Sequence, residues 1–238
     1  MNPLSERFLK TFKVLEDRMV SLSQLKGDYV SYARALEKVH WAAYDPLVAR
    51  DDIFQFLKTA GELRNLLSHE NDVAVPEEAF VGRFEKIAQE ILNPSKAIDI
   101  ATTGERLFYC SPLTQVSSLV KRMEEKHLSH VPLLVNGQVK AVFSSKTFFY
   151  YYREHGTLNV EKDACVADFI DLNDAHALLE EYAFIARDAD ARSLKDRFAK
   201  KSEKEKRLAV LFVTQHGKKD EPLLGIITET DLLKIREV

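Results

Sequence analysis

The chain has 238 residues, 45% hydrophobic and 30% charged, with 34 Lys and Arg against 37 Asp and Glu for a formal charge of −3. That balance excludes an overall basic nucleic-acid footprint, and two cysteines, Cys110 and Cys165, exclude a disulfide framework and leave no metal-ligand spacing. Apolar runs such as Val131–Val135 and Leu208–Val213 are strand-sized, and the first twenty residues hold no apolar leader core. A cytoplasmic protein with no membrane partner and no metal site is expected.

Up to Asn93-Pro94-Ser95 the apolar residues recur at helical spacing; beyond it strands and helices alternate. Residues 1–95 carry 12 basic and 15 acidic side chains and residues 96–238 carry 22 of each, so periodicity rather than charge divides the chain into domains 1–95 and 96–238. In the first, Phe8, Phe12, Leu15 and Met19 lie on one helical face, as do Tyr29, Tyr32, Leu36 and Val39. Gly27-Asp28 separates these two helices and Asp45-Pro46 ends the second. Asp51-Asp52 places acidic groups at the N-terminus of a third, carrying Ile53, Phe56, Leu57, Leu63, Leu66 and Leu67 and stopping around residues 68–72. Val75-Pro76-Glu77-Glu78 opens a fourth, with Phe80, Phe84, Ile87 and Ile91 on its buried face. An all-helical bundle is predicted.

The second domain contains an internal repeat. Ser118–Met123 aligns with Ser193–Phe198 as the start of an amphipathic helix, and a strand follows in each copy, Val131–Val135 or Leu208–Val213. Asn136-Gly137 is a hairpin turn because both residues tolerate positive φ, and residues 215–222 form its longer counterpart. Returning strands Val139–Phe143 and Leu223–Ile227 lead into helices starting near Thr147 and Asp231. Each copy needs the other to bury its sheet. The fold class predicted is α+β, a helical bundle followed by two βαββα repeats, copy one at about 105–155 and copy two at about 182–236.

Copy two ends in Gly225-Ile226-Ile227-Thr228-Glu229-Thr230-Asp231. A glycine there allows close backbone approach, Thr228 ends the strand, and a carboxylate three residues on can accept two hydrogen bonds from a ribose diol. With the repeat, this element resembles the Gly-x-x-Thr/Ser-x-x-Asp signature of tandem CBS domains, a nucleotide-sensing module. The resemblance covers roughly residues 105–236. It implies a regulatory adenine nucleotide (AMP, ADP, ATP or a cyclic dinucleotide) and no other cofactor, with Asp231 on the ribose and Thr228 on ribose or phosphate. It further implies that Ile185 and Ala186, within Phe184–Arg187, hold adenine, and that Arg207 and His130 meet phosphates. Thr228 and Asp231 equally suit a plain helix cap, and Arg207 and His130 a solvated strand end. Copy one reads Ala141-Val142-Phe143-Ser144-Ser145-Lys146-Thr147, with Ala for Gly and Thr for Asp. A hydroxyl does not replace a carboxylate's two acceptor oxygens on a diol, so one nucleotide per chain is expected. The block Phe148–Tyr152 covers every face of a helix, which favours a homodimer contact over nucleic-acid stacking.

Arg64-Asn65-x-x-x-His69, at the end of the third helix, resembles the signature of HEPN domains, all-helical and often metal-independent ribonucleases. For cleavage of RNA, His69 suits acid–base work, Arg64 offers a cationic fork to phosphoryl oxygens, and Asn65 can orient either partner. Positions i and i+5 lie about 140° apart on a helix, so convergence needs local unwinding or, as the resemblance implies, two chains facing each other. Against catalysis, Arg64 and His69 also suit a helix C-terminus, and a net-acidic domain holds RNA poorly. Two functions follow: a nucleotide-gated endoribonuclease, or a non-enzymatic nucleotide sensor whose bundle docks on a partner protein.

Overall fold

The computed structural model describes residues 2–27, 29–69, 74–170, 181–199 and 208–235, without the side chain of His69. The chain is α+β and forms two compact units, Met1–Ser95 and Lys96–Ile235.

The first unit contains helices α1 (Pro3–Ser23), α2 (Tyr32–Trp41), α3 (Asp51–His69) and α4 (Glu78–Leu92). The 3.6-residue spacing of apolar side chains buries Phe8, Phe12, Leu15 and Met19 of α1 together with Leu36, Val39, Ile53, Leu57, Phe84, Ile87 and Ile91 in one core. Rings of Phe8 and Phe84 lie 4.7 Å apart, and those of Phe12 and Tyr32 4.6 Å. Tyr29 falls outside α2 and is 80% exposed, because Ser31 caps the helix by accepting the Arg34 N–H. The same helix ends at Trp41, ahead of Asp45-Pro46: the buried Asp45 carboxylate instead accepts the Leu47 and Val48 N–H groups at 2.8 and 3.1 Å, starting the turn that leads to α3. Leu66 is exposed rather than part of the core, and Phe80 is half-buried.

The second unit begins with a short helix, α5 (Ala97–Ile100), and strand β1 (Thr102–Thr103). Helix α6 (Val116–Glu125) precedes the hairpin β2 (His130–Val135) and β3 (Gln138–Ser144), whose turn residues Asn136 and Gly137 both take positive φ, as their sequence predicts. Helix α7 (Ser145–His155) follows. Copy two comprises β4 (Glu181–Ala186), α8 (Leu194–Ala199), β5 (Leu208–Thr214), β6 (Gly225–Ile227) and a 3-10 helix over Glu229–Lys234, where the sequence suggested an α-helix. Each copy opens with a stretch running parallel to its first hairpin strand, Cys110 beside Leu133 and β4 beside β5. β1, which precedes copy one, adds to the sheet of copy two, giving the order β1-β6-β5-β4.

Alternation along the strands separates three apolar clusters. Leu211 and Val213 of β5 face α5, α8 and the 3-10 helix, whereas Val210 and Phe212 face the other way onto Val139, Val142 and Ile226. Val131, Leu133, Ala141 and Phe143 pack with α6 in the core of copy one. The Val139–Phe212 cluster draws on both sheets, so the two copies bury one another. Within Phe148–Tyr152, Phe148 and Tyr151 pack against copy one's core, while Phe149 and Tyr152 are 74% and 56% exposed.

Gly225 lies opposite Thr103 where β1 pairs with β6. A Cβ there would come within 2.8 Å of Thr103 Cγ2 and 3.0 Å of the Thr102 carbonyl oxygen. Gly225→Ala should therefore destabilise the protein by about 1–3 kcal/mol in urea unfolding. Adding Thr103→Ser, which removes the clashing methyl, should recover part of that loss. A neutral Gly225→Ala would show that the β1 approach does not require glycine.

Candidate functional site

The turn after β6 is built by its own sequence. Thr228 leaves the strand with extended backbone, and Asp231 folds back to it. The Asp231 Oδ2 accepts the Thr228 N–H at 2.8 Å and the Thr228 hydroxyl at 2.9 Å. Its Oδ1 accepts from Lys234 Nζ at 2.7 Å, and the same ammonium donates to the Ile100 carbonyl, at the end of α5, at 2.9 Å. Asp231 is 8% exposed. The cap predicted from sequence is thus formed, and the carboxylate within it is mostly withdrawn from water, with a hydrogen bond at each oxygen.

Copy one makes the same box from neutral groups. The Thr147 hydroxyl accepts the Ser144 N–H at 3.1 Å and the Ser144 hydroxyl accepts the Lys146 N–H at 3.2 Å; both side chains are buried. His130 lies opposite Ser144 across the β2–β3 hairpin, with its Nδ1 2.8 Å from the Ser129 hydroxyl. Arg207, with Lys206, lies outside the described residues.

Ile185 contributes its side chain to the core of copy two beside Leu211 and Val213. The next peptide is closely covered: a Cβ on Gly217, which has φ +80°, would fall 2.9 Å from the Ala186 nitrogen. Glu221 holds the 215–222 loop in this position. Its carboxylate accepts the His216 N–H at 2.7 Å and the Lys218 N–H at 3.3 Å and meets His216 Nδ1 at 2.7 Å. These bonds, the His216 N–H foremost, lower its pKa to about 2. Sequence reasoning missed this loop's role, although a glycine and an acid four residues apart in a polar turn were the available signal.

In the bundle, Arg64 and Asn65 are adjacent and joined, Arg64 Nη1 donating to Asn65 Oδ1 at 3.1 Å. The other arm of the guanidinium donates to both oxygens of Glu16 on α1, at 3.1 and 3.3 Å, and the group lies 5.7 Å from the Phe12 ring centroid. Together they line a cavity of about 260 Å³ that also touches Phe12, Glu16, Tyr32 and Lys58. The His69 side chain lies outside the described residues. Glu16 stands one turn beyond Phe12 on the same helical face, and its partner could not be read from sequence. His40 is buried, its Nδ1 2.9 Å from the Val48 carbonyl and its ring stacked 4.1 Å from Phe54, which is a core role. Among the described residues no group of three or more His, Cys, Asp or Glu could hold a metal, and no helix is long and apolar enough to cross a membrane.

Two outcomes follow from these geometries. Asp231→Thr should recreate the copy-one box and change stability by less than about 1 kcal/mol, whereas Asp231→Ala, which loses the cap, should cost about 1–2 kcal/mol in urea unfolding; equal losses would mean the box does not hold the turn. Because the Glu221 carboxyl is depressed from 4.5, its contribution is complete above that value and disappears as pH falls toward about 2. Amide-exchange protection at His216 should follow that course, and Glu221→Gln should abolish the step.

No protein-family model and no curated protein matches the chain. Among solved structures it is similar to CbpB in complex with c-di-AMP, at 14% identity over 64% of this chain and 91% of that one, with a TM-score of 0.46. It is also similar to CBSX2 in complex with AMP, at 16% identity over 58% and 93% of the two chains (TM-score 0.41). A third is the CBS domain of the bacterial CNNM/CorC family Mg2+ transporter in complex with ATP, at 16% identity over 59% and 85% (TM-score 0.39).

Proposed function

We propose that residues 96–238 form a CBS pair that binds one adenine nucleotide at copy two, and that binding regulates the helical bundle of residues 1–95. The observation that carries this reading is the contrast between the two boxes. Thr147 completes the turn in copy one with a hydroxyl, so the cap alone does not call for a charge. Copy two instead places a carboxylate there, oriented by Thr228 and balanced at Oδ1 by a half-exposed ammonium that a ligand can displace. A ribose diol is such a ligand, since its two hydroxyls can donate to the two carboxylate oxygens. Thr228 and the backbone at Ile185 and Ala186 complete the site, with Arg207 as one basic group beside it. Phe149 and Tyr152 support pairing of two copies of the chain.

The bundle acts as a non-catalytic responder in this reading. Arg64, the group that would stabilise a phosphoryl transition state, is instead engaged by Glu16 and Asn65. A nucleotide-gated endoribonuclease using Arg64, Asn65 and His69 is the competing reading. For regulation in either case, the nucleotide must bind one arrangement of the protein better than another.

AMP, ADP, ATP and c-di-AMP form the test panel. A nucleotide at a hundred times its Kd should stabilise the protein by about 2.7 kcal/mol, and Asp231→Thr should remove that stabilisation while leaving the unliganded protein folded. No response to any of the four, or a response indifferent to Asp231→Thr, would overturn the site. RNA cleavage abolished by His69→Ala would replace the responder reading with the nuclease.

A further inference from the structure

Among the described residues, the cation bonded to the proposed ribose carboxylate is not one that the motif supplies. Asp231 and Lys234 stand three residues apart on a 3-10 helix, where three residues make one turn and side chains at i and i+3 eclipse. Lys234 Nζ therefore reaches Asp231 Oδ1 at 2.7 Å and, from the same position, the Ile100 carbonyl at 2.9 Å. The two ends of this ion pair differ in freedom: the Asp231 side chain is 11% exposed and locked by Thr228, whereas the Lys234 side chain is 47% exposed on a flexible four-carbon stem. The ammonium is the member that can move.

Resting on the nucleotide site proposed above, we infer that Lys234 is a phosphate-reading residue of that site and makes it select nucleotides over nucleosides. A ribose that takes Asp231 Oδ1 competes with Lys234 for that oxygen. If the incoming ligand carries a phosphate, the displaced ammonium exchanges one anion for another and its charge stays paired. If the ligand is adenosine, the ammonium is separated from Asp231 and receives no anion in return. Specificity thus arises from a penalty against the nucleoside as well as attraction to the nucleotide. The same exchange removes Lys234 from Ile100, the last residue of α5, through which the chain enters the second unit.

The measurement is the ratio of AMP to adenosine affinity by titration calorimetry on the full chain, for the wild type, Lys234→Met and Lys234→Arg. The wild type should prefer AMP by about ten-fold or more, the scale of one charge-assisted contact. In Lys234→Met, AMP should weaken while adenosine gains, lowering the ratio by about ten-fold; Lys234→Arg, which keeps the charge, should retain the preference. A ratio is insensitive to a fraction of misfolded variant, which lowers both affinities alike. An unchanged ratio in Lys234→Met, with AMP binding still dependent on Asp231, overturns the role of Lys234 and leaves the site standing. Absence of Asp231-dependent AMP binding in the wild type overturns both.

Discussion

Residues 101–103 can lie against β6 because position 225 has no side chain. That approach joins β1, which precedes copy one in the chain, to the sheet of copy two, and it closes the order β1-β6-β5-β4. It also holds α5 beside the turn that follows β6, so that the Ile100 carbonyl comes within reach of Lys234. The Thr228–Asp231 box is local, but the bond from its counter-ion to Ile100 depends on an interstrand contact between segments more than a hundred residues apart. The first glycine of the motif serves the architecture, while its threonine and aspartate shape the turn.

The two copies show how one backbone solution can carry different chemistry. A box closed by Ser144 and Thr147 satisfies the turn with neutral groups, at no cost in buried charge. A box closed by Asp231 withdraws a carboxylate from water and must supply it with donors: the Thr228 N–H, the Thr228 hydroxyl and an ammonium. Such a carboxylate is oriented before any ligand arrives, since its rotamer is set by bonds to its own turn. For the nucleotide proposed above, preorganisation of this kind would lower the cost of binding, because the carboxylate would lose little freedom on contact.

The helical bundle holds a charged group of its own in a network of side-chain partners. Arg64 bridges α1 and α3 through Glu16 and borders a cavity with an aromatic wall of Phe12 and Tyr32. Gly61 admits the Tyr32 ring, since a Cβ there would come within 3.0 Å of it, and the Tyr32 hydroxyl donates to the Leu57 carbonyl at 3.2 Å. The cavity is therefore framed by packing that the core itself requires.

The sequence by itself determined the features that depend on near neighbours: the buried faces of α1 and α4, the Asn136-Gly137 turn, the repeated strand–helix–hairpin order and the cap between Thr228 and Asp231. Each follows from residue spacing or intrinsic backbone preference over a few positions, and such preferences are written locally. Where local signals competed, boundaries moved, as at Tyr29, which has helical spacing but lies ahead of the Ser31 cap. Tertiary structure alone decided what Gly225 makes room for, that Lys234 ties Asp231 to Ile100, that Gly217 covers Ala186, and that Glu16 holds Arg64. Apart from the i,i+3 pair of Asp231 and Lys234, these partners are separated by between 31 and 134 residues, and the contacts joining them arise from the packing of strands and helices whose proximity no local pattern encodes.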